Sequence, residues 1–518
     1  MKPGSSQQNP KNQLDRRRFI QAGAVSAVTA AASCAGPGGE SAGRETAIEL
    51  ENRKPGTREW QLTRVWVDRG KYRSARIEGY CSHQSIEAGD TLSVFVSTEP
   101  ASPFRVDFYR LGYYGGHGGR LMKSAGPLEG TPQPLPEVGP NRLRECRWEP
   151  SLEFTIPEDW TSGVYLGKLT TLPAGNAPYW QSYVIFIVRD RRPAHLLFQC
   201  SDNTWQAYNR WPDDYSLYTH PEGAHHPGVA GSFDRPYAKF SMFADFPLSV
   251  GTGEFLLWEY PLCYWLEREG LDVTYCSNAD VLDSSFVTRC RAFVSVGHDE
   301  YWDIRQYRAI EAAIGEGVNV LWLSANDVYM VSPFTPSSTG VPNRIITRLH
   351  SYGPLRPEEI ERYSEILGPF EGAGPDERNI IGARTVVPFN GSGDWICTAP
   401  DHWIFEGTGM AKGDFIPGLV GWEFHGDPDL EREGLEVVAQ GTVWTHGVTP
   451  GEWAATIFPG PKGNFVFNAS TIFWAQGLDS PPGHTVPWTH FTRPLGPDPR
   501  VQRITRNLID RAAAPEPA

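Results

Sequence analysis

The chain has 518 residues, which is more than one hydrophobic core usually supports, so two domains are expected. Hydrophobic residues make up 40% of it and charged residues 21%, proportions that are typical of a soluble globular protein. The formal net charge of −14 argues against nucleic acid or an acidic membrane surface as a partner.

Residues 1–34 have the pattern of an export signal of the twin-arginine type. Arg16 and Arg17 precede a modest alanine-rich segment that is too short and too weakly apolar to form a stable transmembrane helix. We therefore expect an exported protein, located in the periplasm, outside the cell or on the cell envelope. The sequence before Cys34 loosely resembles a lipoprotein cleavage box, so a lipid anchor at Cys34 and ordinary cleavage nearby both stay open. The composition of residues 35–58 predicts a linker.

In residues 59–191, apolar and polar residues alternate with a period of two over several short runs. Leu92, Val94 and Val96 form one such run, and the glycines within 115–119 mark a tight turn. Many short strands with turn signals between them predict an antiparallel β-sandwich domain. We find no catalytic constellation in this part of the sequence.

From residue 192 to 518 the pattern changes to strands that are separated by helices. At its centre are a buried run over 292–296, a helix that begins after Asp303 and stops at Gly315 and Gly317, and a second buried run over 318–325. A strand, a helix and a strand of these lengths form a parallel βαβ unit. We therefore predict a three-layer α/β domain that is built on a parallel sheet.

Polar side chains follow the ends of three predicted strands in this second domain. Tyr208 and Tyr218 follow one strand, His298 and Glu300 follow another, and Asn326 follows the third. Because ligands in open α/β sheets bind outside the carboxyl ends of the strands, these residues can meet at one rim. Two tyrosines and a carboxylate form a hard oxygen set that suits ferric iron better than zinc. The alternative is that both tyrosines pack as ordinary aromatic residues and that Glu300 only favours the following helix N-terminus.

Several common active-site motifs are absent from the sequence. It contains no HExxH zinc motif, no GxSxG nucleophile elbow, no Walker A loop and no GxGxxG turn after a strand. The eight cysteines form no CxxC pair, and we expect most of them to be small buried hydrophobic residues. A disulfide pair among Cys263, Cys276 and Cys290 stays open.

Several short motifs occur together in this chain. They are Thr204–Asn209, Ser216–Tyr218, Ser232–Tyr237, Gly297–Trp302 and Gly463–Ala469 in the second domain and Tyr109–Gly116 in the first. In combination they resemble the large (β) subunit of N,N-dimethylformamidase and the proteins that share the C-terminal domain of that subunit. The similarity covers about 194–512, and the preceding sandwich also resembles the module that these relatives carry.

The resemblance implies a mononuclear iron site and the hydrolysis of an amide. The implied ligands of the ferric ion are Tyr208, Tyr218 and Glu300. In the family a histidine and an asparagine assist the reaction, and the matching residues here are His298 and Asn326. Tyr237 competes with the other two tyrosines as a ligand. The family fold resembles that of class I glutamine amidotransferases, although the turn after Val296 lacks the cysteine nucleophile of that fold.

Together these features favour an exported, metal-dependent hydrolase that acts on a small amide or a related C–N bond. The alternative is a non-catalytic protein of the cell envelope that binds a glycan or a peptide through a surface rich in tryptophan, of which the chain has 18. The hydrolase needs the metal, whereas the binding protein does not.

Overall fold

A computed structural model describes residues 45–514, except for 67, 70–71, 222–228, 239–248, 354–373, 386–390, 427, 429, 445–450 and 486–495. The predicted export signal, Cys34 and the first part of the predicted linker lie outside the described residues. Within the described part, no helix is both long enough and apolar enough to cross a membrane.

The first strands of the described chain form two β-sheets. Their bounds are β1 Glu78–Cys81, β2 Ser85–Glu87, β3 Thr91–Ser97, β4 Phe104–Leu111, β5 Gly119–Leu128, β6 Leu152–Thr155, β7 Gly163–Thr171 and β8 Gln181–Arg189. The smaller sheet has the order β1-β3-β6, and the larger has the order β2-β8-β7-β4-β5. Neighbouring strands are antiparallel, except that β2 runs parallel to β8.

An apolar core lies between these two sheets. Leu92, Val94 and Val96 of β3 are each at most 1% exposed, and they belong to the same cluster as Val106 and Phe108 of β4. The residues between them on β3 are only partly buried. The predicted alternation in β3 is therefore confirmed, and the arrangement is compatible with the predicted β-sandwich.

The larger sheet is also covered on its second face. Strands β7 and β8 contain no exposed residue. Leu166 and Ile187 on these strands share a core cluster with Leu196 and Phe198, which lie beyond the predicted domain boundary. The described residues from Glu45 onward form one compact unit. The sandwich and the part that follows it are therefore packed through a common core.

The remaining strands of the described chain include a seven-stranded sheet. Their bounds are β9 Leu196–Gln199, β10 Ala230–Ser232, β11 Val273–Cys276, β12 Ala292–His298, β13 Tyr301–Trp302, β14 Asn319–Ala325, β15 Met330–Val331, β16 Phe334–Thr335, β17 Ile345–Thr347, β18 Gly391–Ile396, β19 Phe415–Trp422, β20 Glu436–Val443, β21 Gly451–Pro459 and β22 Phe465–Asn468. The sheet has the order β11-β9-β12-β14-β22-β21-β20.

The seven-stranded sheet is parallel over five strands and antiparallel at one edge. The neighbours from β11 to β22 run parallel, whereas β22, β21 and β20 are antiparallel to each other. Only a short turn joins β21 to β22, and a parallel pair would need a crossover of about a dozen residues or more. The predicted parallel sheet is therefore correct for its centre, and the edge makes the sheet mixed.

Helices cover both faces of the seven-stranded sheet. The α-helices are α1 Ala47–Asn52, α2 Asp202–Ala207, α3 Phe255–Trp258, α4 Tyr260–Arg268, α5 Ser284–Thr288, α6 Ile304–Glu316, α7 Arg378–Ile381 and α8 Pro499–Ala513, and short 3-10 helices cover Tyr114–Gly116, Pro140–Arg142, Asn278–Leu282, Trp403–Phe405 and Trp474–Gly477. Helices α4 and α8 share a core cluster with Val294, whereas α5 and α6 share the other cluster with Phe293. Because successive residues of β12 enter opposite cores, the strand is buried on both faces and apolar except for Ser295 and the terminal His298.

The central βαβ unit forms as predicted. Strand β12 pairs in parallel with β14, and α6 connects them. Asp303 caps α6 by accepting a hydrogen bond from the backbone of Arg305, and Gln306 completes the capping box. The helix is terminated by Gly317, whose φ of 99° lies in the left-handed region that glycine adopts readily.

Candidate active site

The carboxyl ends of the parallel strands bring the predicted site residues together. His298 is the last residue of β12, Glu300 follows it by two positions, and Asn326 follows β14 directly. Tyr208 ends the short helix α2 after β9. Gly297 has a φ of 74°, and a Cβ at this position would lie 2.7 Å from the Cβ of Trp258, so the turn that presents His298 requires glycine.

Both predicted tyrosine ligands donate hydrogen bonds to Glu300. The Oη of Tyr208 lies 2.5 Å from Oε2 of Glu300, and the Oη of Tyr218 lies 3.1 Å from Oε1. The two phenol rings are stacked with 5.5 Å between their centroids. Glu300 is 2% exposed. The competing Tyr237 packs against Trp205 instead.

His298 and Asn326 meet at a second carboxylate, which belongs to Glu423. The Nε2 of His298 lies 2.6 Å from Oε2 of Glu423 and 3.2 Å from Oε2 of Glu300. The Nδ2 of Asn326 donates to Oε2 of Glu423 at 3.1 Å and lies 3.3 Å from Nε2 of His298. His298, Glu300 and Glu423 each place one ligand atom within 4.8 Å of the others, which is an arrangement that could hold a metal ion.

Burial and charge together set the protonation of the site. Burial lowers the pKa of His298, but the adjacent carboxylates of Glu423 and Glu300 outweigh it and raise this pKa well above its usual value. Burial, reinforced by the charge of Glu300, raises the pKa values of Tyr208 and Tyr218. Both phenols therefore keep their protons and donate hydrogen bonds to Glu300.

Buried hydrogen bonds fix the backbone on which these side chains stand. The amide of Glu300 donates to Oγ1 of Thr204 at 3.0 Å, which ties the turn after β12 to α2. The amide of Asp327 donates to Nε2 of His425 at 3.2 Å, and Nδ1 of that histidine lies 2.8 Å from Oδ1 of Asn468. Because Nε2 accepts, the proton of His425 is on Nδ1. The ring therefore holds the turn that follows β14.

Three further residues at the site, Glu423, Arg348 and Tyr301, were not among the predicted site residues. Glu423 follows β19, Arg348 follows β17, and Tyr301 lies in β13 inside the motif Gly297–Trp302. The glutamate and the arginine are brought to the site by loops that are distant in the sequence. The one local signal was the apolar run of β19, which ends directly before Glu423 and so resembles the other strand ends of the site.

No curated protein matches the chain. One similar solved structure, a family 123 glycoside hydrolase from Clostridium perfringens that was analysed for glycolipid glycan hydrolysis, is 8% identical over 56% of this chain and 55% of that chain, with a TM-score of 0.12. A score this low carries no argument about fold or function.

The family match is extensive. The profile described as N,N-dimethylformamidase beta subunit-like, C-terminal, matches residues 105–487. This range contains most of the sandwich and all of the site residues named above. The chain therefore belongs to the family of proteins that resemble the β subunit of N,N-dimethylformamidase in its C-terminal part.

Proposed function

We propose that the protein is an exported, metal-dependent hydrolase of a small amide or a related C–N bond. The observation that carries the proposal is the convergence of the partly buried Tyr218 with the buried Tyr208, His298, Glu300 and Asn326 in one cluster of direct contacts. Three strand ends contribute them, as expected for a site in an open α/β sheet. Family membership supports a hydrolase that resembles dimethylformamidase. The resemblance also implies a fold like that of class I glutamine amidotransferases, and the five parallel strands support this proposal.

The donor set at Glu300 fits a hard cation such as ferric iron. The phenol oxygens of Tyr208 and Tyr218 both lie at the carboxylate of Glu300, so these three side chains would offer a cation a set of hard oxygen donors. Such an ion would replace the phenol protons and polarise an amide carbonyl. We propose Tyr208, Tyr218 and Glu300 as its ligands.

The side chains of His298 and Glu423 supply the proton transfers of a hydrolysis. As a water oxygen bonds to the carbonyl carbon, its proton passes to the pair formed by His298 and Glu423. The pair returns the proton to the amide nitrogen as the C–N bond breaks, so the site regains its starting state. Nδ2 of Asn326 has two hydrogens and can donate one to the developing oxyanion, a contribution of about 3 kcal/mol in other enzymes.

The alternative, a binding protein for glycan or peptide, needs exposed aromatic side chains. Most tryptophans of the described chain are buried, and eight of the largest fully buried side chains are tryptophans. In the part of the chain that the structure describes, Trp444 is the tryptophan with a large exposed surface, at 60%. The aromatic residues therefore serve mainly to pack the core, which favours the hydrolase.

Elemental analysis of the mature protein tests the proposal most directly. Protein purified from iron-replete cells should contain a single ferric ion per chain and a visible charge-transfer band from bound phenolate. The loaded protein should then hydrolyse at least one member of a panel of small formamides and acetamides. A colourless protein without iron would contradict the proposed metal site, and iron-loaded protein that hydrolyses none of the panel would contradict the proposed substrate class.

Export is tested by the arginine pair near the start of the chain. Replacing both Arg16 and Arg17 with lysine should leave the protein in the cytoplasm, because a twin-arginine signal is read through these two side chains. Cell fractionation followed by immunoblotting measures the distribution. The matched control is Arg18→Lys, which changes the neighbouring arginine and should not alter export. Normal export of the double variant would contradict the proposal.

A further inference from the structure

Two buried residues outside the proposed ligand set act on Tyr218. The hydroxyl of Tyr301 donates a hydrogen bond to Oη of Tyr218, which in turn donates to Oε1 of Glu300 at 3.1 Å. The guanidinium carbon of Arg348 lies 4.5 Å from the centroid of the Tyr218 ring. Tyr301 and Arg348 are both fully buried. Tyr218 is thus contacted at its oxygen by a donor and at its ring by a cation.

The two proposed tyrosine ligands have different surroundings. The ring of Tyr208 stacks on His298, with 5.4 Å between the centroids, and it also stacks on Tyr218. Tyr301 packs edge-on against both phenols, and its hydroxyl is hydrogen-bonded to both, donating to Tyr218. Tyr218 is therefore the tyrosine that accepts the hydrogen bond of Tyr301 and has Arg348 over its ring.

Both contacts favour the phenolate form over the phenol. A donor to an anionic oxygen forms a stronger hydrogen bond than a donor to a neutral one. A cation over an aromatic face is attracted to the electron density of the ring, which is greater in a phenolate. If a bound cation displaced the proton of Tyr218, the hydrogen bond from Tyr301 would be retained, because Tyr218 accepts it.

The fold holds the two residues in these positions. Tyr301 lies in β13, which pairs with Met330 and its neighbour in β15. Arg348 follows β17 directly, and its amide donates to the carbonyl of Val229 at 3.0 Å. Hydrogen bonds inside the fold therefore hold the backbone of both residues that contact Tyr218.

We propose that Tyr301 and Arg348 are positioning residues that hold Tyr218 at the proposed metal site and stabilise it as an anionic ligand. This inference rests on the proposed metal site. It assigns Tyr301 in the motif Gly297–Trp302 a role that is distinct from those of His298 and Glu300.

The test compares full-length mature protein with its Tyr301→Phe variant after both are loaded with ferric iron. The variant should bind iron about tenfold more weakly, because a hydrogen bond to a charged group is lost. Its charge-transfer band should move to longer wavelength, because the phenolate electrons are no longer stabilised by a donor. The matched control is Tyr352→Phe, which removes a buried hydroxyl that donates to the backbone of Trp302 at 3.0 Å and should change neither quantity.

A second pair of variants tests the cation. Arg348→Gln should weaken iron binding and shift the band in the same direction, whereas Arg348→Lys should keep most of the parent behaviour. If Tyr301→Phe, with its conservative change, leaves both the band and the affinity at the parent values, the inference is wrong and the metal site stands. If the parent itself shows no band with ferric iron, the proposed metal site fails, and the inference fails with it.

Discussion

Glu300→Ala should lose both the bound metal and the turnover of any accepted amide, whereas His298→Ala should keep the metal and lose most of the turnover. Glu300 accepts the hydrogen bonds of both tyrosines, so its removal takes away the group on which the proposed ligands converge. His298 contacts the carboxylate of Glu423 and lies beside the carboxylate of Glu300, but it is not one of the proposed metal ligands. Removing a general acid or base typically reduces the rate by about 10²- to 10⁴-fold.

Metal content and amide turnover are measured on the same preparations of both variants. Glu316→Ala, which changes an exposed glutamate at the end of α6, is the control and should match the parent in both measurements. Full turnover in His298→Ala would remove this residue from the proton transfers. Retention of a full complement of iron in Glu300→Ala would show that the metal is held elsewhere.

The central part of the fold could be predicted because its signals are local. The capping box of Asp303 and Gln306 and the stop at Gly317 lie within the helix that they delimit. The apolar run of β12 shows that both faces of the strand are buried. Period-two alternation likewise predicted the inner face of β3.

Other features of the fold depend on contacts between distant segments. Nothing near β7 or β8 in the sequence shows that their second face packs against Leu196 and Phe198. The antiparallel edge of the large sheet depends on the pairing of β21 with β22. An apolar sequence predicts that a strand is buried, but it does not predict which other segment packs on the strand or pairs with its edge.

The same distinction explains which site residues could be found. His298 and Asn326 follow predicted parallel strands, so topology alone places them at one rim. Glu423 follows β19, which pairs with β18 outside the large sheet. The expectation that ligands bind at the carboxyl ends of parallel strands therefore does not apply to this residue. Arg348 contacts Tyr218 through its guanidinium group, and this contact has no counterpart in sequence spacing.

The ion pair between Arg110 and Glu267 joins the sandwich to the part that follows it, and Glu267→Gln should destabilise the whole chain. Nη2 and Nη1 of Arg110 in β4 donate to the two carboxylate oxygens of Glu267 in α4 at 2.7 and 3.0 Å, and both side chains are fully buried. Tyr275 and Asn52 donate to the same carboxylate at 2.9 and 2.8 Å. Burial would lower the pKa of Arg110, but Glu267 raises it, so the arginine stays charged.

Replacing the glutamate leaves that charge buried without its counterion. Breaking a buried pair from one side typically costs about 3–5 kcal/mol. Denaturant titration of Glu267→Gln should therefore show a free energy of unfolding that is lower by about this amount. The matched control is Glu311→Gln, which breaks an ion pair with Arg308 whose two side chains are 59% and 43% exposed, and it should cost less than about 1 kcal/mol.

The double variant Arg110→Met with Glu267→Leu separates the cost of an unpaired charge from the cost of lost packing. If the unpaired charge dominates, replacing both partners with apolar side chains should recover much of the stability that Glu267→Gln loses. Arg110 also donates to the carbonyl oxygen of Ser162 at 2.7 Å, so the recovery should be incomplete. A double variant as unstable as Glu267→Gln would show instead that the hydrogen-bond network around the carboxylate, rather than the charge, holds the two parts of the chain together.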